Sequence, residues 1–178
     1  LASRQTQIEA KDARDRAVSR ALRVWPAPMV SEADPFEFGV KRSALADRFR
    51  APSQRAAPYV SRDVDPAADS RLRASGSVLL IGVPGAGVTR TAFEIARRAA
   101  PSARLVAPRP QGLQAALDNG MLASLPPRCQ VVLWLDGIDS ISADNTTAAA
   151  LRELRRQSSG LRVIATVPSG DRYQRWIA

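Results

Sequence analysis

The chain has 178 residues, a formal net charge of +9, and a hydrophobic fraction of 45%. This length and composition favour one globular domain with additional segments. There is no histidine and only one cysteine, Cys129, so histidine-based acid–base catalysis, histidine-ligated metals and an internal disulfide are excluded. Cys129 precedes an apolar run and is expected to be a small buried residue.

The excess of basic residues leaves two interpretations open. A basic surface attracts nucleic acid, anionic lipid or an acidic protein. The alternative, which we favour, is a set of arginines spread over solvated helix faces, because no dense basic block with interleaved aromatics occurs. No apolar run reaches 18 residues, so no transmembrane helix is expected and a cytoplasmic location is predicted. The first residue is Leu, which indicates a segment of a longer chain.

Residues 3 to 24 contain few helix breakers and predict an N-terminal helix, assigned to residues 1–25. We expect this helix to dock on the domain that follows. Pairing with another helix, or continuation of an upstream element, stays open. The apolar stripe of the helix is mostly alanine and consists of Ala10, Ala13, Ala17, Val18, Ala21, Leu22 and Trp25.

The prolines after Trp25 end this helix, since proline lacks an amide donor and disfavours helix at the preceding residue. Residues 26–75 are predicted to form an extended connector with one or two helical turns, in which Asp34 and Ser43 are candidate caps. We expect the connector to wrap the domain surface. Its apolar anchors lie at 35–40 and 58–60, and a short helix is predicted at 65–74.

From residue 77 onward, strand and helix patterns alternate. This alternation predicts a parallel sheet with right-handed crossovers, in an α/β domain assigned to residues 76–178. The predicted strands are 77–81, 104–107, 130–135 and 161–167, and the predicted helices are 89–99, 111–119 and 145–157.

A glycine-rich segment, Gly82-Val83-Pro84-Gly85-Ala86-Gly87-Val88-Thr89, joins the first predicted strand to the next helix. Its context and spacing match the phosphate-binding pattern G-x-x-x-x-G-K-[ST], the P-loop or Walker A motif. Glycines let backbone amides curl around an anion, and the helix start adds unpaired amides and a positive dipole end. The Thr89 hydroxyl normally helps to hold Mg²⁺. The candidate phosphate-binding residues are Gly82, Gly85, Ala86, Gly87, Val88, Thr89 and Arg90.

The glycine loop departs from the pattern at one position, where Val88 replaces the lysine. That lysine normally reaches the β- and γ-phosphates, so its loss weakens triphosphate binding and removes charge stabilisation from the transition state. Arg90 lies two residues further on and is expected to point elsewhere along the helix. A glycine-rich turn without any ligand is the alternative interpretation.

A second acidic motif follows the apolar run 131–135, which ends in Asp136. An aspartate at the carboxyl end of the strand beside the glycine-loop strand, the Walker B arrangement, orients a magnesium-bound water. Thr89 and Asp136 are therefore the candidate metal ligands. Asp139 could position a water. The alternative for both Asp136 and Asp139 is that they cap the turn or helix that follows. Thr166 ends the fourth strand and either contacts a γ-phosphate or is an ordinary β-branched strand residue.

Taken in order, these motifs resemble those of a P-loop NTPase. Residues Asp136-Gly137-Ile138-Asp139 resemble the Asp-Gly-Leu-Asp-Glu of NACHT and related STAND signalling ATPases. Residues 58–65 together with 89–94 resemble actinobacterial STAND-like proteins more closely, and those often carry tetratricopeptide repeats downstream. The resemblance covers roughly 58–178 and implies a three-layer α/β/α domain of P-loop NTPase topology, incomplete because the chain stops just after the fourth strand.

The resemblance implies a regulatory switch within a multidomain bacterial signalling protein. In such proteins bound ATP or ADP with Mg²⁺ stabilises different domain arrangements, and oligomerisation follows. The implied partners are other domains of the same chain and further proteins. Val88, and Ser140 in place of the usual acid, argue against efficient hydrolysis, so nucleotide binding is predicted to be weak or lost. The alternatives are a scaffold for protein contacts, nucleic-acid binding through the basic surface without a recognisable motif, and an active ATPase that uses Arg90.

Overall fold

The computed structural model describes residues 2–42, 58–141, 145–157, 160–170 and 173–174. The predicted cap at Ser43 and the side chain of Ser140 lie outside this described part. Each predicted strand and helix from residue 65 onward is present, with boundaries within one residue of the prediction. In chain order the elements are α1 Ala2–Ala21, α2 Asp65–Ser75, β1 Ser77–Gly82, α3 Val88–Ala99, β2 Arg104–Val106, α4 Gly112–Asp118, α5 Met121–Ser124, β3 Val131–Leu135, α6 Ile138–Ile141, α7 Asn145–Gln157 and β4 Leu161–Pro168.

The four strands form one parallel sheet in the order β1-β4-β3-β2, which confirms the predicted α/β class and the parallel pairing. One expectation about the sheet was wrong. The strand that ends at Asp136, β3, does not adjoin β1, because β4 lies between them. Both β3 and β4 are mainly apolar and largely buried, so their sequences do not distinguish which one pairs with β1.

Both faces of the sheet are buried, as β3 shows most clearly. Successive side chains of a strand point to opposite faces. Leu133 and Leu135 therefore pack among α1, α4, α5 and α7, whereas Val132 and Trp134 pack against α2 and α3. Cys129, expected to be buried, is only partly buried at the edge of the first of these cores. Helices thus cover both faces of the sheet.

The N-terminal helix α1 docks on the domain through its C-terminal end. Val18 and Leu22 are completely buried, whereas Ala10 and Ala13 are exposed. Docking is as expected, but the first half of the predicted apolar stripe is not part of the core. An alanine methyl buries little apolar area, so the early turns would gain little free energy by packing. The helix also ends at Ala21, before the residue predicted from the prolines.

Residues 22–31, which follow α1, cover the free edge of β2. Antiparallel bridges join Leu22 to Pro108 and Met29 to Arg104. The amide of Leu105 also donates to the carbonyl of Pro28, at 2.9 Å. A bare edge strand would leave such groups unpaired and open to association with other chains. The first part of the connector thus wraps the domain, as expected.

Phe38 anchors the connector on the α2/α3 face of the sheet. Its buried ring lies 6.4 Å from that of Phe93 and 6.5 Å from that of Trp134. The Trp134 indole Nε1 also donates to the Phe38 carbonyl at 3.1 Å. The predicted cap at Asp34 is present, since its Oδ1 accepts from the amide two residues on. The prediction of a second apolar anchor at residues 58–60 was wrong for Val60, because its side chain is 79% exposed.

Polar contacts, rather than apolar ones, hold residues 59–65 beside α3. The Asp65 carboxylate accepts from the Tyr59 hydroxyl at 2.8 Å and from the Ser61 hydroxyl at 3.2 Å, and the Arg98 guanidinium lies 3.2 Å away. Burial raises the pKa of the Asp65 carboxyl group. The hydrogen bonds from the Tyr59 side chain, the Arg62 backbone and the Ser61 side chain, together with the charge of Arg98, outweigh burial. The pKa of Asp65 therefore lies below its ordinary value. A buried carboxylate thus fixes this part of the connector.

The Asp65→Asn variant is expected to lose stability at neutral pH and to approach the natural chain in acid. The pKa of Asp65 is lower in the folded chain than in the unfolded one, where it is about 3.9. Stability from the carboxylate is thus fully present above that value and is lost as the pH falls through the folded pKa. The difference in free energy of unfolding between the two chains, measured with denaturant, should shrink below about pH 4.

The matched control for this prediction is Asp15→Asn. The pKa of Asp15 is also lowered, chiefly by its hydrogen bond from Lys11, but that pair lies on the exposed surface of α1. Exposed helix pairs contribute little, so this variant should show a much smaller pH-dependent difference. A difference for Asp65→Asn that stays constant into acid would contradict the assigned role of the carboxylate.

Candidate functional site

A cleft of about 690 Å³ opens at the carboxyl ends of β1, β3 and β4. Three segments border it: the glycine loop, the connector residues 58–62 and the connector residues 39–41. Asp136 and Thr166 border it as well. This end of an open parallel sheet is where ligands bind, and the volume suits a small-molecule ligand.

The loop between β1 and α3 has the backbone shape of an anion cradle. Gly85 and Gly87 have φ angles of +86° and +76°, a left-handed conformation that residues with a Cβ rarely adopt. A Cβ at Gly85 would meet no atom within 4 Å, so the conformation, and not crowding, requires glycine there. Helix α3 begins directly after Gly87, and the amides of its first turn have no acceptor within the helix. The helix dipole adds a partial positive charge at this point.

Val88 occupies the first position of α3 and borders the cleft. Its Cγ2 lies 2.5 Å from where a Cβ at Gly82 would be, so the side chain packs directly against the end of β1. Glycine at 82 makes room for this contact. The loop itself therefore presents an apolar side chain where a charged one would contact phosphate.

Asp136 joins the second sequence motif to the first. Its Oδ1 accepts from the Thr89 hydroxyl at 2.8 Å and from the Thr166 hydroxyl at 2.7 Å. The Thr166 oxygen in turn accepts from the amide of Gly137 at 2.8 Å. Thr166 thus orients Asp136, a role that differs from both the phosphate contact and the ordinary strand residue predicted from the sequence. The other carboxylate oxygen, Oδ2, lies against Gly39, where an added Cβ would come within 2.5 Å of it.

The donor atoms at this site fit magnesium that arrives together with a phosphate ligand. The Thr89 hydroxyl and the Asp136 carboxylate are hard oxygen ligands of the kind that Mg²⁺ prefers. Within the part of the chain that the structure describes, no group of three or more His, Cys, Asp or Glu side chains could hold an ion alone. Mg²⁺ commonly keeps several waters and binds through one or two protein ligands plus substrate phosphates. The pair could therefore contribute two oxygen ligands to an ion that a phosphate group also holds.

Two further candidates from the sequence contribute less to the cleft. Arg90 borders it, but the Arg90 guanidinium lies 2.7 Å from the Glu94 carboxylate, one turn along α3. Their side chains are only 21% and 11% exposed, so parting them would leave a poorly solvated acid with only the more distant Arg97, at 3.9 Å, as its partner. Asp139 lies in the first turn of α6 and does not line the cleft.

Sequence reasoning did not identify Arg62 or Gly39 as site residues. Arg62 Nη2 donates to the Ala86 carbonyl at 2.5 Å, across 24 residues of sequence, and Gly39 contacts Asp136. Arg62 lies in the segment 58–65 that carries part of the family resemblance, but neither Arg62 nor Gly39 belongs to the glycine loop or to the acidic motif. Only the folding of the connector over the sheet brings them to the cleft.

Comparison of the chain with protein-family models, curated proteins and solved structures gave no match. Among the described residues, none of the helices combines the length and the apolar character needed to cross a bilayer. The functional interpretation therefore rests on the residues of the cleft.

Proposed function

We propose that the chain is a regulatory P-loop domain of a multidomain bacterial signalling protein, which binds nucleotide phosphates weakly with Mg²⁺ and hydrolyses them little or not at all. The observation that carries the proposal is the 2.8 Å hydrogen bond between Thr89 and Asp136. These residues lie 47 positions apart, on the two motifs that magnesium-dependent phosphate sites require. They meet beside the glycine loop, at the start of α3.

The sheet order supports a P-loop topology. With β4 between β1 and β3, the loop after β1 and the acid after β3 lie at one end of the sheet with a single strand separating them. That strand contributes Thr166, which hydrogen-bonds to Asp136. Apolar residues also border the cleft, among them Val60 and Val83, which are 79% and 62% exposed. A nucleotide base would cover such surface.

Weak binding and slow hydrolysis follow from the side chains that the glycine loop and the start of α3 contribute to the cleft. Val88 provides no cation, and Arg90 is paired with Glu94. Asp136 is the one acidic side chain among the described residues that line the cleft, and two hydroxyls already orient it. No second carboxylate there is placed to position an attacking water. The site is therefore suited to holding a phosphate rather than to cleaving one.

The Val88→Lys variant is expected to bind Mg-ADP and Mg-ATP more tightly than the natural chain. A charge-assisted contact to phosphate contributes about 1.5–3 kcal/mol, which corresponds to an affinity gain of roughly 10- to 100-fold. Titration calorimetry on the natural and variant chains measures this gain. Steady-state phosphate release by the natural chain should stay near background.

Val83→Lys is the matched control, because it adds the same charge at an exposed position of the same loop, outside α3. It should tighten binding much less than Val88→Lys. Measurable binding by the natural chain supports the proposal. If only Val88→Lys binds, the cleft keeps the shape of a phosphate site without its ligand, and a scaffold for protein contacts becomes the better interpretation. If neither chain binds, nucleotide recognition is rejected.

A further inference from the structure

We propose that Arg62 supplies, from the connector, the positive charge that the glycine loop lacks at Val88, and that it contacts a phosphoryl group of the bound nucleotide. This inference rests on the proposed function, because it assumes that a phosphate lies in the loop. It assigns a binding role to a residue outside both motifs.

The position of the Arg62 guanidinium supports this role. Its Nη2 donates to the Ala86 carbonyl at 2.5 Å and lies 3.1 Å from where a Cβ at Gly87 would be. The group therefore rests against the last residues of the loop, immediately before the first turn of α3. A phosphate bound by the amides of that turn would lie next to it.

The chemistry of arginine allows the same side chain to hold the loop and bind a ligand. A guanidinium has five N–H donors in a planar fork, a geometry that matches phosphate oxygens. One donor of Arg62 is engaged by Ala86, and the side chain is exposed, so donors remain for a ligand. Lysine, in contrast, presents one point charge on a flexible stem.

The connector holds Arg62 from both sides in the sequence. Tyr59 and Ser61 precede it and Asp65 follows it, and the two hydroxyls both donate to the Asp65 carboxylate. Asp65 also contacts Arg98, near the end of α3. These contacts hold the backbone around Arg62 against α3, the helix whose first turn would bind the phosphate. The Arg62 side chain therefore loses less conformational freedom when it binds a phosphoryl group.

The other basic residues that line the cleft are less suited to this role. Arg90 is paired with the largely buried Glu94. Lys41 borders the cleft from the Gly39 side and makes no hydrogen bond to the glycine loop among the described residues. Arg62 is thus the cation of the cleft that already contacts the loop.

The test is calorimetry with Mg-ADP on the complete chain and four variants. Arg62→Ala should weaken binding by about 10- to 100-fold, the effect of losing a charge-assisted phosphate contact. Lys41→Ala removes the same charge from the same cleft and should cost much less. Arg152→Ala removes an exposed arginine on α7, outside the cleft, and should leave the affinity unchanged. The double variant Arg62→Ala/Val88→Lys should recover binding, which shows that the loss reflects a missing charge and not a damaged fold.

Each result separates this inference from the proposed function. If the natural chain binds Mg-ADP and Arg62→Ala binds it equally well, the role of Arg62 is overturned while the nucleotide site stands. Equal losses of Mg-ADP affinity in Arg62→Ala and Lys41→Ala would also overturn it, because they would indicate a general electrostatic attraction by the cleft rather than a direct contact with Arg62. If the natural chain binds no Mg-ADP, both fail, since Arg62 then does not replace the lysine.

Discussion

Trp134→Ala is expected to lower the free energy of unfolding by about 3–5 kcal/mol, the usual cost of removing a large buried aromatic side chain. Trp134 is 1% exposed and packs edge-on against Phe38 and Phe93. Its indole also satisfies the buried carbonyl of Phe38. The substitution would therefore leave a cavity between the sheet and α3 and would detach the connector. Equilibrium denaturation in urea, followed by circular dichroism, measures the loss.

Two further variants show whether this loss comes from the aromatic cluster. Trp134→Phe keeps a ring but leaves the Phe38 carbonyl without its donor, so it should cost about 1–3 kcal/mol. Val60→Ala removes apolar atoms from a side chain that is 79% exposed and should have almost no effect. If Trp134→Ala destabilised the chain no more than Val60→Ala does, the aromatic cluster of Phe38, Phe93 and Trp134 would not be what anchors the connector.

Gly112→Ala is expected to destabilise the protein by about 1–3 kcal/mol, the range observed for overpacking. A Cβ at this position would overlap the carbonyl oxygen of Ala21, which is backbone and has no rotamer to change. That carbonyl accepts from the amide of Arg109 at 2.9 Å, so the substitution also strains the junction between α1 and α4. Loss of stability should be accompanied by faster proteolysis within α1.

Gly160→Ala is the matched control for this prediction. The nearest atom to a Cβ there belongs to Gln130 at 3.6 Å, an ordinary van der Waals contact. This variant should retain nearly the stability of the natural chain. If the two variants lost similar amounts of stability, the loss would reflect a general cost of replacing glycine. The close approach of Gly112 to α1 would then not be what holds that helix.

The sequence alone predicted most of the regular elements and several of the residues that border the cleft. Hydrophobic repeats of about 2 and 3.6 residues reflect backbone geometry, which is local, so they predicted the four strands and the helices α2, α3, α4 and α7, but not the short helices α5 and α6. Gly85 and Gly87 have positive φ angles, a conformation that favours glycine, and Thr89 follows them two positions on. Asp136 was identified because an acid at the end of an apolar strand is also a local signal. The apolar side chain that the loop presents at Val88 is likewise evident from one position of the sequence.

Only the tertiary structure decided the contacts between these elements. The position of β4 between β1 and β3, the use of Thr166 to orient Asp136, and the contact of Arg62 with the loop all join residues at least 24 positions apart. Such contacts depend on how whole elements pack, because many sequence-distant pairings are compatible with the same local patterns. For the same reason the sequence predicted docking of α1 without showing that only its C-terminal end is buried. Local residue patterns determined which groups are present, and packing determined which of them meet in the cleft.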